Sequence, residues 1–76
     1  MPEARFLVYT RDDCPLCDEF VAELSRLPLR YELRDVDGDP VTLRRYGLKV
    51  PVLICDGRIV CHGRLDRVAV LRVAGG

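Results

Sequence analysis

Seventy-six residues, 49% of them hydrophobic and 32% charged, suffice for one small packed core and are too apolar for a disordered chain. Twelve basic and twelve acidic residues cancel, so the chain lacks the excess positive charge that binds nucleic acid or an anionic membrane surface. No apolar run is long enough to span a bilayer, and Met1-Pro2-Glu3-Ala4-Arg5 lacks the form of a signal peptide, which points to a cytoplasmic, reducing setting. Static disulfides are rare there, so four cysteines are expected to be free, catalytic or metal-bound rather than a structural framework.

The chain opens with a strand over residues 5–10. Its apolar run Phe6-Leu7-Val8-Tyr9 is continuous rather than alternating, as in a central strand covered on both faces. A polar turn, Thr10-Arg11-Asp12-Asp13, leads into a helix over 14–27, closed by Pro28. Phe20, Leu24 and Leu27 form its apolar stripe, with Leu16 and Val21 beside it, while Glu19, Glu23 and Arg26 take the wet side. Residues 29–36 form a second strand in which Leu29, Tyr31 and Leu33 alternate with Arg30, Glu32 and Arg34, the pattern of a half-exposed edge strand. Asp37-Gly38 turns the chain. Asp39 caps and Pro40 opens a short helix that runs to Tyr46 and stops at Gly47, an expected left-handed C-terminal cap.

Residues 52–55, Val-Leu-Ile-Cys, make a third buried strand. Asp56-Gly57 is a two-residue hairpin signal, and residues 58–62 return. A last helix spans 65 to about 74, with Asp66 as N-cap, a Leu65–Val70 staple and Gly75-Gly76 as a frayed end. The order β-α-β-α-β-β-α begins with a βαβ unit, hence two parallel strands joined by a right-handed crossover. One domain over 1–76 is expected, an α/β fold with a mixed four-stranded sheet and helices on both faces.

The chemistry is expected at Cys14-Pro15-Leu16-Cys17, where a buried strand hands over to a helix. A sulfur at a helix start meets unpaired backbone N–H groups and the positive end of the helix dipole. Both favour the thiolate, which is the nucleophile of disulfide exchange. Pro15 suits the first helical position, since its missing N–H would be unpaired there anyway. Cys14 is therefore the expected nucleophile and Cys17, a turn inward, the resolving thiol. CxxC is also half of many zinc sites. The alternative is a non-catalytic thiol module in which the pair holds zinc or an iron–sulfur cluster between subunits.

In Tyr9-Thr10-Arg11-Asp12-Asp13-Cys14-Pro15-Leu16-Cys17, Lys49-Val50-Pro51 and His62-Gly63-Arg64-Leu65-Asp66, the chain resembles glutaredoxin-like members of the thioredoxin-fold superfamily, nearly end to end. The resemblance implies a dithiol–disulfide oxidoreductase with no bound cofactor, acting as a monomer on a protein disulfide or small thiol substrate, with glutathione or a reductase as electron donor. It implies a cis proline at Pro51, lying against Cys14, and a Val50 backbone that pairs with an extended substrate as an added strand. It places Arg11 and Lys49 on the carboxylates of glutathione and the helix start near Asp66 on its amine, with Leu16 and Gly63 beside it. The chain departs from the pattern at Leu16, where the family commonly has an aromatic residue, at Lys49, where it has Thr, and in the double-glycine acidic motif, of which Gly63 and Asp66 remain. Four nearby acids, Asp12, Asp13, Asp18 and Glu19, oppose one base, Arg11, and predict a less acidic nucleophile than in relatives with basic surroundings.

Cys55 and Cys61 form a second candidate pair. With Asp56-Gly57 as the loop, Ile54 pairs with Ile59 and Val52 with Cys61, which would put the two thiols on opposite faces of the sheet. Both then read as small hydrophobes in a sheet. His62, the only histidine, reads as a solvated strand-end residue.

Overall fold

A computed structural model describes residues 5–75. The elements are β1 (Phe6–Thr10), α1 (Pro15–Leu24), β2 (Tyr31–Asp35), a single 3₁₀ turn (Val36–Gly38), α2 (Pro40–Tyr46), β3 (Val52–Cys55), β4 (Arg58–His62) and α3 (Arg67–Gly75). The sheet order is β2-β1-β3-β4. β1 and β2 are parallel, and the β1–β3 and β3–β4 pairs are antiparallel. This is the expected mixed four-stranded sheet, with the edge strand where its charges placed it. Gly76 and the first four residues lie outside the description.

The sheet separates two apolar clusters. On one face Phe6, Val8, Leu53 and Cys55 meet Phe20 and Leu24 of α1 and Val70 of α3. On the other, Tyr9, Val52 and Ile54 meet Val36, with Tyr46 and Val50 packed against them. β3 is buried at all four positions, because both faces of a central strand are covered. Full burial of side chains such as Phe20, Leu24 and Leu53 contributes about 1.5–3 kcal/mol each.

Four expectations are corrected. α1 ends at Leu24, not residue 27. Ser25 turns its hydroxyl back onto the Ala22 carbonyl (2.7 Å), and the N–H groups of Arg26 and Leu27 bond to Glu23 and Leu24, three residues back. Pro28 denies Leu27 the helical conformation, so the last turn tightens while Leu27 stays buried. Gly47 is right-handed (φ −56°, ψ −31°) rather than a left-handed cap. Its lack of a side chain answers a steric demand: a Cβ there would sit 2.5 Å from the Leu43 carbonyl oxygen. Leu33 aligns with Val8 but is 52% exposed, because it lies on the edge strand.

The fourth correction concerns the hairpin. Ile54 does pair with Ile59, but Leu53 pairs with Cys61 and Val52 with His62. A bulge at Val60 inserts one extra residue in β4, and one extra residue reverses which face every later side chain takes. Cys55 and Cys61 therefore share the α1/α3 face, where both meet the same core cluster. They remain diagonal neighbours, since Cys55 stands opposite Arg58 and Cys61 opposite Leu53, and both are free thiols.

Candidate active site

β1 delivers the chain to one end of the sheet, and Asp13 makes the turn in a left-handed conformation (φ 55°) that a short acidic side chain tolerates. Cys14 is the N-cap of α1, extended at φ −122° and ψ 94°, with Pro15 opening the helix. The Cys17 N–H donates to Cys14 Sγ at 3.1 Å, and the Asp18 N–H to the Cys14 carbonyl at 3.1 Å. An N-terminal amide that the helix cannot satisfy internally is thus aimed at the outer sulfur. The two sulfurs lie within disulfide-bonding distance, with Cα atoms 5.2 Å apart. Burial distinguishes them: Cys14 is half-buried, whereas Cys17 is 2% exposed and part of the core. The outer thiol can meet another molecule's sulfur, and the inner one can meet only Cys14.

The remaining predicted residues spread over two flanks. Leu16, 40% exposed, and Gly63 line a narrow cleft of about 140 Å³ with Glu19 and Arg64. The Val50–Pro51 peptide is cis. Pro51 is buried, and its carbonyl accepts from the Gly63 N–H at 2.8 Å, which ties the loop after β4 to the entry of β3. Val50 is half-buried against the α2-side cluster, and Lys49 is exposed beside it. Asp66 is exposed and caps α3, its carboxylate accepting from the Ala69 N–H at 3.1 Å. His62 is an exposed strand-end residue.

Sequence reasoning missed what Arg11 does. Its guanidinium grips both Asp37 oxygens at 3.0 Å and donates to the Gly47 carbonyl at 3.1 Å, so one side chain bridges the end of β1, the 3₁₀ turn and the end of α2. The parallel pairing of Thr10 with Asp35 carries the signal: residues just past aligned ends of parallel strands emerge at the same edge. The Arg11 contact holds the Asp37 carboxyl below its usual range. A depressed carboxylate adds stability above its unfolded pKa and loses it as pH falls through the folded value. Asp37→Asn should therefore flatten the acid limb of a melting-temperature profile and change little near neutrality. An unaltered acid limb would count against the bridge. Tyr9 and Tyr46 also stack, with ring centroids 5.2 Å apart, which holds α2 over β1.

Burial pushes both Cys55 and Cys61 up, with Arg5 partly opposing it at Cys55 and the Asp66 N–H at Cys61. Both are thus poor thiolates. The double variant Cys55→Ser, Cys61→Ser is expected to keep its disulfide-exchange rate within threefold (on the order of RT) while losing about 1–3 kcal/mol of stability from the buried hydroxyl. A tenfold rate loss in protein shown to be folded would reinstate them as redox groups. Among the described residues, no three His, Cys, Asp or Glu side chains gather as a metal site. No helix among these residues is long and apolar enough to cross a membrane.

This sheet, with a CxxC pair on the first turn of α1 and a proline opening β3, defines a thioredoxin-like fold carrying a thiol–disulfide redox centre. The chain belongs to the glutaredoxin-like family: the model for the Glutaredoxin-like domain (DUF836) matches residues 5–73. Among solved structures it is similar to protein Ne2328 from Nitrosomonas europaea, with 28% identity over 96% of this chain and 93% of that one, at a TM-score of 0.79. It is also similar to protein XcR50 from X. campestris, with 34% identity over 91% and 96% and a TM-score of 0.74. Glutaredoxin C1 from Populus tremula x tremuloides shares the fold at 15% identity, over 95% and 75%, with a TM-score of 0.60. No curated protein matches the chain by sequence.

Proposed function

We propose that this protein is a dithiol–disulfide oxidoreductase that reduces protein or small-molecule disulfides in the cytoplasm without a resident cofactor. One observation carries the reading: the half-buried Cys14 sulfur receives the Cys17 N–H at the start of α1, with the buried Cys17 sulfur within bonding distance behind it. In the reduced protein the Cys14 thiolate attacks one sulfur of the substrate disulfide and expels the other as a thiolate. The helix-start N–H stabilises negative charge on Cys14, both before attack and when it later departs. Cys17 loses its proton and attacks Cys14 Sγ in the mixed disulfide. The second substrate thiolate leaves, and Cys14–Cys17 keeps the oxidation. Two electrons from two glutathione molecules, or from one dithiol reductase, then restore the pair.

Beside that centre, an extended substrate would lie along the Val50 backbone, with Leu16, Pro51 and Gly63 bounding it and Lys49 at its edge. Arg11 is the weakest member of the glutathione set, because its donors are already committed to Asp37 and Gly47. The test is a thiol count. Fully reduced protein has four alkylatable cysteines after denaturation. One equivalent of hydroxyethyl disulfide should consume two of them, mapped to Cys14 and Cys17, and release two equivalents of mercaptoethanol. Retention of all four, or purification with stoichiometric zinc or an iron–sulfur absorbance, would replace the enzyme reading with the metal-holding one.

A further inference from the structure

The net charge of zero conceals an uneven distribution. Beside the redox pair, Cys17 forms part of the wall of a depression of about 420 Å³ whose rim carries Asp12, Asp13 and Asp18. Among the described residues Arg11 is the only cation lining it, and Asp37 neutralises that charge through two 3.0 Å contacts. All three rim carboxylates are exposed, and none has a basic partner within ion-pair distance among the described residues. The floor is apolar, formed by Val21 and by Leu33, which is 52% exposed. At the far end of β1, a cleft of about 600 Å³ gathers Arg5, Arg58 and Arg72 against Asp56 alone. Arg64 lines the separate cleft beside Leu16 and Gly63. A partner that reaches Cys14 over the α1–β2 flank therefore crosses a field of one sign.

We infer that the substrate disulfide taken by this site lies in a protein segment whose cysteines are flanked by lysine or arginine and a small apolar side chain, not in an anionic small molecule such as glutathione disulfide. The inference rests on the disulfide-reductase reading and names the substrate class for it. The cationic side chains meet the rim of Asp12, Asp13 and Asp18, the apolar one meets Val21 and Leu33, and the partner's disulfide meets Cys14. Complementary charge of this kind acts chiefly on the rate of encounter, by tenfold or more at low salt. The reaction is the exchange already described: two electrons and two protons pass from the Cys14–Cys17 dithiol to the segment's disulfide, so single-turnover assays need no other reductant.

The experiment compares two synthetic peptides with the same disulfide loop, one flanked by lysines and one by glutamates, as oxidants of pre-reduced protein. Hydroxyethyl disulfide, which is uncharged, serves as reference. The lysine peptide should oxidise the protein about tenfold faster than the glutamate peptide at low salt, and the ratio should shrink to about twofold at 0.5 M salt as screening sets in. Asp12→Asn with Asp13→Asn should bring the two peptide rates together at low salt. Equal rates, or a faster glutamate peptide, with hydroxyethyl disulfide still reacting would overturn the charge assignment and leave the reductase reading intact. Failure of hydroxyethyl disulfide to oxidise Cys14 and Cys17 would overturn both.

Discussion

Cys14→Ser is expected to abolish disulfide reduction, with a loss of about a thousandfold or more, because a serine hydroxyl is a far weaker nucleophile than a thiolate and nothing else at the site replaces it. Cys17→Ser should behave differently. Its Cys14 can still attack, since the backbone N–H of residue 17 remains to donate to Sγ, but the mixed disulfide has no internal thiol to resolve it. Intact-mass measurement should then show one substrate adduct per chain, released by added thiol. Cys17 is 2% exposed, so the reverse assignment, with Cys17 attacking first, would require the helix start to open. Appreciable turnover by Cys14→Ser, or an adduct on Cys17 of that variant, would defeat the assignment of roles.

The second large effect is on stability. Leu24 is fully buried in the cluster that fastens α1 to the sheet. Truncating such a leucine costs about 2–5 kcal/mol. A core of this size supplies only about 3–5 kcal/mol in total. Leu24→Ala should therefore leave reduced protein largely unfolded at 37 °C, which denaturant titration and circular dichroism would reveal. Leu48→Ala is the matched control: Leu48 is exposed and should shift stability by less than about 0.5 kcal/mol. The link to function is direct, because α1 carries both cysteines and its packing keeps the Cys17 N–H on Cys14. A cost below about 1 kcal/mol for Leu24→Ala would mean that α1 is held by something other than this contact.

Much of this was legible from local chemistry. A strand of continuous apolar residues, a cap, a proline at the first helical position and a stripe of Phe20 and Leu24 place Cys14 at a helix start without knowledge of any other element. The alternation of charge in β2 announced an edge, and Asp56-Gly57 announced a hairpin. The errors have one character. The hairpin register failed because the two-residue turn that starts β4 carries no signal of the bulge at Val60 further along it. The end of α1 moved because a serine side chain competed for a helix carbonyl. Gly47 was chosen by the space beside Leu43, and a glycine needed for space reads the same in sequence as one needed for its dihedral angle.

The redox pair belongs to the sequence by itself: three residues of separation across one helical turn bring two sulfurs together wherever that helix is built. Only the tertiary structure decided that Arg11 serves the fold. Arg11 lies three residues before Cys14, yet parallel pairing of β1 with β2 brings Asp37 to the same edge, and that carboxylate accepts from Nε and Nη2 of the guanidinium. Charges distant in sequence cancel or add according to where the backbone sets them, and here the chain crossover leaves the approach to Cys14 acidic on one flank.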